Sequence, residues 1–248
     1  MDFFGEDADI SAINTNRMDD LITHLSVVKK MSGPTINRKL AVMSKVFRYS
    51  VKRGVIATFP TIEREEETGG RIRWLSEEEE TKLLAKLLSY GKADHVDAIS
   101  VLIDTGMRPS ELYRLKPIDV DLKTGLISIW QTKNDVPRSI PMTSRVKELM
   151  KRRLKAGVLF PFDNNWMTPV WNRARKALEM TDDEHFIPYI CRHTCASRMV
   201  QRGVPLQVVQ KWLGHASITM TERYGHLAPD NLRAAVAVLE KQPPVTHG

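Results

Sequence analysis

Side chains able to act on a phosphodiester are concentrated between residues 189 and 224. This stretch contains Tyr189, the pair Arg192-His193, then His215, and finally Tyr224. Arginine presents forked donors to phosphate oxygens and stays charged at any relevant pH. A tyrosine hydroxyl can attack phosphorus, and a histidine can donate or accept protons near neutrality. The combination suits nucleophilic attack on a phosphodiester.

A second arginine, Arg108, follows a glycine turn upstream. Pro109 suits the first position of a helix, so Arg108 is predicted to lie at a helix N-terminus. A cation there opposes the helix dipole unless both face the same anion, as they do in a phosphate site. The surrounding segment reads Thr105-Gly106-Met107-Arg108-Pro109-Ser110-Glu111-Leu112.

Each of these residues also has an ordinary structural interpretation when taken alone. Arg108 and the Arg192-His193 pair could be surface or salt-bridging residues, and Tyr224 could be a core tyrosine. The segment Leu213-Gly214-His215 could be a helix cap. Their order and spacing together are much more specific than any one of them.

Together these residues resemble the tyrosine recombinases, the phage integrase family, from about Asp9 to Leu239. The resemblance implies that Tyr224 attacks the scissile phosphate, forms a 3′-phosphotyrosyl bond and releases a 5′-hydroxyl. Arg108 and Arg192 would hold the non-bridging oxygens, and His215 would donate to a phosphate oxygen. The bond energy is kept in the protein–DNA link, so neither ATP nor another cofactor is expected.

The resemblance implies further roles around this centre. Glu111 would support the region of Arg108, and Lys133 would protonate the leaving 5′-oxygen. Lys133 lies in Thr132-Lys133-Asn134-Asp135-Val136-Pro137-Arg138, which matches the usual surroundings of the catalytic lysine, although alone it would be an exposed hairpin lysine. His193 or Tyr189 would assist proton movement. The family usually has His at the position of Tyr189, and a tyrosine with a pKa of about 10 is a poor base near neutrality.

The composition favours a polyanionic partner. The chain has 248 residues and a formal net charge of +7. Residues 29–53 contain lysines and arginines and no acid, and an apolar stripe from Ile36 to Val51 recurs at helical spacing. The cations that lie mostly off this stripe either contact DNA or form an ordinary solvated face; they are Arg38, Lys45, Arg48 and Lys52.

Neither a metal site nor a membrane segment is expected. Cys191 and Cys195 lie one helical turn apart near His193, but their spacing matches no zinc pattern, and buried free thiols are the commoner outcome. No carboxylate cluster suggests a divalent metal. Without a signal peptide or a long apolar run, secretion and membrane insertion are not expected. The resemblance implies a cytoplasmic protein that acts on DNA in a bacterial or phage-infected cell.

The fold is predicted to be mainly α with a small β-sheet (α+β). Residues 1–62 would form a helical core-type DNA-binding domain, residues 63–73 a polar linker, and residues 74–248 the catalytic domain. This N-terminal domain is shorter than the family's usual one, so the chain is either a naturally short member or a truncated one.

Local patterns place the elements along the chain. A helix at about 16–25 is followed by one that Thr35 caps and Gly54 ends. Helices are then predicted from Ser76 to Ser89, through Val96–Ile103 to Gly106, from Pro109 to about Leu115, at about 144–156, from the cap Thr168 to Leu178, and at 231–240. A hairpin over 126–142 carries Lys133 at its tip, and Tyr224 is predicted to lie within the third helix of the 189–224 stretch.

The resemblance also implies the partners. The first partner is double-stranded DNA with a specific recombination site, which the two domains would hold in a C-shaped clamp. Four copies of the chain would form a homo-tetramer on synapsed DNA, joined by the C-terminal helix of each copy. Accessory DNA-bending proteins are also implied. Two alternatives remain open: a DNA-binding relative that no longer cuts, and a type IB topoisomerase. Relaxation of supercoiled DNA that lacks any target site would identify a topoisomerase.

Overall fold

A computed structural model of the chain describes residues 3–66, 72–130, 137–157, 159–160, 162, 165–229 and 236. Within these ranges the protein is mainly helical and has a small antiparallel sheet, which confirms the predicted fold class. The chain divides into two compact units, residues 1–70 and 71–248. In the described ranges no helix combines the length and the apolar character needed to cross a membrane.

The first unit packs two α-helices around a small apolar core. Helix α1 spans Thr15–Thr23 and leads through a π-helical turn, His24–Val28, and a short connection into α2, Gly33–Lys52. The helical periodicity predicted for α2 is confirmed, because its apolar stripe is buried against α1 and the π-helical turn. The buried core residues on these elements are Met18, Leu21, Leu25, Ile36, Leu40, Met43 and Phe47.

The start of α2 differs from the prediction. Ser32, not Thr35, is the N-cap, and the helix begins at Gly33 with Pro34 in its first turn. Proline fits there because the first turn needs no intrahelical N–H donor and proline's fixed φ is already helical. The Thr35 hydroxyl lies 3.0 Å from that of Ser32. Gly54 follows the helix with a φ of +70°, as the prediction of a glycine terminator requires.

The segment between the units is described only in part. The backbone of Glu65 bonds the side-chain amide of Asn37 at 2.9 and 3.0 Å, so this part of the predicted linker packs on the first unit. Arg73 instead forms ion pairs with Glu79 and Asp183 of the second unit. Residues 67–71 lie outside the described residues.

The second unit is built from eight further helices in the described ranges. The predicted capping box at Ser76 is present, and Gly106, with a φ of +62°, ends α4 as predicted. The large core lies mainly around α4, α6 and α7 and the sheet. The helices are α3 Glu77–Ser89, α4 Ala93–Thr105, α5 Pro109–Tyr113, α6 Ser144–Lys155, α7 Met167–Ala177, α8 Ile190–Gln201, α9 Leu206–Leu213 and α10 Thr219–Glu222.

The sheet has three antiparallel strands in the order β1-β2-β3. Strands β2, Leu126–Ile129, and β3, Arg138–Pro141, form the predicted hairpin, with Ile127 opposite Ile140. Strand β1, Val120–Asp121, was not predicted, because two residues are too few to show an alternating pattern. The predicted tip with Lys133 falls in residues 131–136, outside the described residues.

Two further helix boundaries were predicted wrongly. Helix α7 begins at Met167, so Thr168 and Pro169 lie inside its first turn; Pro169 is tolerated there because the first turn's N–H groups have no intrahelical acceptor. Helix α10 ends before Tyr224, which instead leads into a 3₁₀ turn at Gly225–Leu227. The predicted helix at 231–240 lies outside the described residues except for Val236, which is helical.

Candidate active site

Arg192 joins the ends of two helices at the centre of the second unit. It sits in the first turn of α8 and is only 1% exposed. One terminal nitrogen donates to the Gly106 carbonyl at 2.6 Å and the other to the Leu213 carbonyl at 2.7 Å. Carbonyls at helix C-termini lack intrahelical donors and carry partial negative charge, so an arginine satisfies both ends at once. Arg192 Nε has no hydrogen-bond partner among the described residues.

The left-handed glycines at these two helix ends allow this close approach. Gly106 ends α4 and Gly214, with a φ of +67°, ends α9. A Cβ on Gly106 would lie 2.6 Å from a methyl carbon of Leu213, and one on Gly214 would lie 3.0 Å from Cδ of Arg138. Glycine is therefore required at both positions by backbone conformation and by space.

Arg108 and Arg138 share one carboxylate. Arg108, at the N-terminus of α5, donates its backbone N–H to Glu111 Oε2 at 2.8 Å and a terminal nitrogen to Oε1 at 2.9 Å. Arg138 binds the same carboxylate through two bonds of 3.0 and 2.7 Å, and its Nε donates to the Trp212 carbonyl at 3.1 Å. Burial raises the pKa of Glu111, but bonds from Arg138 and Arg108 outweigh it and hold that pKa below its ordinary value.

His215 follows the Gly214 cap and is 9% exposed. Its Nδ1 lies 2.8 Å from the hydroxyl oxygen of Thr221, three residues before Tyr224. Burial first, and then the charges of Arg192 and Arg108, lower the pKa of His215 to about 4. The imidazole is therefore neutral at pH 7.

Tyr224 is 2% exposed, and its ring packs with Val209 and Leu213 in a small cluster. Its hydroxyl oxygen lies 2.8 Å from Nδ1 of His193. Burial raises the pKa of Tyr224 to about 12. The ring of Tyr189, a residue 39% exposed, meets the half-buried His193 ring edge-on, with centroids 5.1 Å apart.

The structure brings together most of the predicted site residues. Hydrogen bonds and ring contacts in the second unit involve every member of the set Arg108, Glu111, Tyr189, Arg192, His193, His215 and Tyr224. The charges of Arg192 and Arg108 also act on His215. Lys133 falls outside the described residues. Arg38, Lys45, Arg48 and Lys52 are exposed along α2 in the first unit.

Sequence reasoning missed three residues that complete this set: Arg138, Trp212 and Thr221. Only Arg138 had a usable signal, because it closes the segment around Lys133 that matched the family. Trp212 also donates its indole N–H to the Thr105 carbonyl at 2.9 Å, so it joins α9 to the end of α4. Nothing in the sequence pattern pairs Thr221 with His215.

The two cysteines are buried free thiols on α8. Burial raises the pKa of Cys191 above its ordinary range and that of Cys195 to about 12. Across the described residues, no group of three or more His, Cys, Asp or Glu side chains could hold a metal ion.

Comparison with known proteins gives tyrosine recombinases and integrases among the relatives. Tyrosine recombinase XerA of Saccharolobus solfataricus is 34% identical over 54% of this chain and 46% of its own length. The integrase of Escherichia phage 186 is 29% identical over 89% of this chain and 63% of its own length. The chain thus spans about half to two thirds of these curated relatives.

Solved structures share the fold. The integrase of transposon Tn1549, solved in complex with a circular intermediate DNA, has a TM-score of 0.76 at 20% identity, covering 95% of this chain and 87% of that one. The catalytic domain of bacteriophage HP1 integrase has a TM-score of 0.55 at 26% identity, covering 67% of this chain and 94% of that domain. The profile of the phage integrase family matches residues 73–231. Since this match covers more than half of the chain and includes every residue of this set, the protein belongs to the phage integrase family.

Proposed function

We propose that this protein is a site-specific DNA recombinase, or integrase, that cleaves and rejoins DNA strands through a 3′-phosphotyrosyl intermediate. One observation carries the proposal: the hydrogen bonds of Arg192 join the segments that carry Arg108 and His215, in the same unit where Tyr224 bonds His193. The names of the relatives, which are tyrosine recombinases and integrases, support the same activity.

Within this reaction Arg108 and Arg192 stabilise the charge that develops on the non-bridging phosphate oxygens. Each terminal nitrogen of Arg192 has a second hydrogen beyond the one given to a helix-end carbonyl, and its Nε is free of partners in the described part of the chain. His215 is a neutral hydrogen-bond donor to the phosphate. Such preorganised donors act most strongly where water is excluded, and the burial of these side chains excludes it.

Glu111 positions the two arginines that bind it, and Arg138 positions Trp212 and the end of α9. Lys133 is proposed as the general acid that protonates the leaving 5′-oxygen. Tyr189, at the exposed edge of the site, would donate a hydrogen bond to a phosphate oxygen. General acid assistance is typically worth about 10²–10⁴-fold in rate.

The first unit, a core-type DNA-binding domain, would hold the duplex through α2. Four cations on this helix are exposed, and no hydrogen bond or ion pair with a described residue engages them: Arg38, Lys45, Arg48 and Lys52. Unpaired cations on one helix are what contact with phosphates requires.

The proposed partners are double-stranded DNA with a specific recombination site, three further copies of this chain in a tetramer on synapsed DNA, and accessory DNA-bending proteins. The proposed location is the cytoplasm of a bacterial or phage-infected cell, where such DNA is found. The structure of the Tn1549 integrase in complex with a circular intermediate DNA supports the DNA partner.

Covalent trapping on a library of duplex DNA tests the activity. We expect the wild type to form a protein–DNA adduct on a subset of sequences, and Tyr224→Phe to bind the same DNA without forming it, because only the nucleophilic oxygen is removed. Gel-shift titration and denaturing electrophoresis of the selected sequences measure binding and adduct.

Two matched tyrosine variants complete this test. Tyr90→Phe removes a hydroxyl elsewhere in the second unit and should leave adduct formation unchanged. If Tyr189→Phe abolished the adduct while Tyr224→Phe retained it, the nucleophile would be Tyr189. Relaxation of supercoiled DNA that contains no selected site would instead indicate a topoisomerase.

A further inference from the structure

The buried nucleophile needs a partner that takes its proton. With a pKa of about 12, only about 10⁻⁵ of the Tyr224 hydroxyl is ionised at pH 7. The position where the family usually has a histidine holds Tyr189, which is not a base near neutrality. A different group must therefore accept the proton during attack.

The contacts around Tyr224 leave one candidate among the described residues. Its hydroxyl lies 2.8 Å from Nδ1 of His193, within the range required of a general base. His215 directs its own Nδ1 to Thr221, and Glu111 is occupied by Arg108 and Arg138. His193 is half-buried, and its ring contacts both the buried Tyr224 and the exposed Tyr189.

The geometry points to His193 as the proton acceptor of Tyr224, an inference that rests on the proposed function. His193 would be the Nε2–H tautomer, so that the Tyr224 hydroxyl donates its hydrogen to the lone pair of Nδ1. The nucleophile and its base then lie within hydrogen-bond reach, as the activation of a hydroxyl requires, and the Tyr189 ring packs edge-on against the base.

Proton transfer is coupled to the exchange of bonds at phosphorus. As Tyr224 Oη forms its bond to phosphorus, the Oη hydrogen passes to Nδ1 of His193 and the imidazole becomes positively charged. The bond between phosphorus and the 5′-oxygen breaks, and that oxygen takes a proton from the proposed general acid, Lys133. In rejoining, a 5′-hydroxyl attacks phosphorus and gives its proton back to Lys133, while the bond between phosphorus and Tyr224 Oη breaks. His193 returns its proton to Oη, so that all three side chains regain their starting state.

The surroundings of His193 keep its imidazole neutral before attack. Burial first, then Arg223 near Tyr224, Arg192 on α8 itself and His185 before α8, lower the pKa of His193 to about 4. The pKa of His193 therefore lies far below that of Tyr224, so the proton moves as the oxygen bonds phosphorus and not before. The negative phosphate offsets the arginine charges and raises the pKa of His193 in the complex.

Single-turnover adduct formation over a range of pH tests the role. His193→Gln keeps a hydrogen-bonding side chain of similar reach but cannot take the proton. We expect DNA binding within about twofold of wild type and adduct formation slower by about 10²–10⁴-fold. The wild-type rate should fall as pH drops through the pKa of His193 in the complex. The variant should lack this break, and its rate should rise with pH as Tyr224 ionises.

A chemical rescue and a surface control separate a base from a merely structural residue. His193→Ala should regain adduct formation with added imidazole, in proportion to the neutral form of imidazole. His226→Gln, at an exposed position, should cleave as the wild type does. If His193→Gln cleaved within about threefold of wild type with the same pH profile, or imidazole failed to rescue His193→Ala, His193 would not be the acceptor.

A measurement without DNA keeps this inference separate from the proposed function. Long-range ¹H–¹⁵N spectra of histidine-labelled protein, with His193 assigned from its loss in His193→Gln, report which ring nitrogen carries hydrogen. The inference requires an unprotonated Nδ1 whose shift changes in Tyr224→Phe. A hydrogen on Nδ1 would overturn it even if the wild type cleaves DNA, whereas a wild type that forms no adduct on any DNA would overturn the proposed function.

Discussion

At the scale of single residues, Arg192 has a structural task in addition to the phosphate binding that the sequence predicts. A phosphate-binding arginine is expected to direct its donors at substrate, yet both terminal nitrogens of Arg192 bind helix-end carbonyls. These bonds fix the guanidinium before any phosphate arrives, which lowers the conformational entropy lost on binding. The same bonds hold Gly106 and Leu213 in place, so substitution of Arg192 would affect both stability and catalysis.

Gly106→Ala tests this dependence. The alanine would have to adopt a φ of +62° and place its Cβ 2.6 Å from Leu213, displacing the carbonyl that Arg192 binds. We expect a loss of about 2–4 kcal/mol in the free energy of unfolding, from left-handed strain and overpacking together. Adduct formation should also fall. Urea denaturation and covalent trapping measure the two effects.

Gly91→Ala is the matched control, because Gly91 has a φ of +68° and open space around its Cβ position. It should lose about 1–2 kcal/mol from backbone strain alone and cleave DNA as the wild type does. Equal losses for the two variants would contradict the contact argument for Gly106.

At the scale of elements, α2 has two faces with different tasks. One face builds the core of the first unit, and the other carries exposed cations interspersed with exposed Val42, Val46 and Tyr49. Among the described residues, Arg48 and Lys52 have no ion-pair partner that would explain their positions on this face. We therefore expect phosphates to neutralise them.

Reversal of both charges, Arg48→Glu with Lys52→Glu, should weaken binding to every DNA sequence. If each cation contacts one phosphate, the slope of log affinity against log salt should become shallower by about 0.9 per residue, about 1.8 together. Fluorescence anisotropy at several salt concentrations measures it. Lys151→Glu, on α6 of the second unit, is the control. If the slope of the double variant equalled that of the wild type, the α2 face would be an ordinary solvated surface.

At the scale of the whole molecule, the site makes stability depend on pH. His193 and His215 have pKa values of about 4 in the folded protein, against an ordinary value of 6.5. Burial also lowers the pKa of His95. Between the two values the unfolded chain binds protons that the folded chain does not, so acid favours unfolding in this window.

We expect the free energy of unfolding to be constant above about pH 7 and to fall as pH decreases from about 6.5 toward 4, by on the order of 2 kcal/mol for each of His193 and His215. Urea titrations between about pH 5 and pH 7 avoid most carboxylate protonation. The double variant His193→Gln with His215→Gln should have a shallower slope in this window. His226→Gln, at an exposed position, is the control and should keep the wild-type slope. A wild-type slope in the double variant as well would mean that the two histidines are charged in the folded protein.

Much of this protein could be predicted from sequence because the relevant signals are local. The capping box at Ser76, the glycine that ends α4 and the apolar stripe of α2 each depend on a few neighbouring residues, and each was confirmed. One helix boundary was predicted wrongly because two local signals competed: Ser32 and Thr35 are both good caps, and Pro34 favoured the earlier one.

The sequence by itself determined which residue types the site contains, because the order and spacing of these residues can be read without any knowledge of contacts. They are Arg108, Arg192, His215 and Tyr224. Only the tertiary structure decided their partners. Arg138 reaches Glu111 from 27 positions away, and Arg192 reaches Gly106 from 86. Hydrogen bonds across such distances depend on how helices pack and carry no periodic signal along the chain. For the same reason only the folded protein shows that His193 bonds the Tyr224 hydroxyl and that burial raises the pKa of that hydroxyl to about 12.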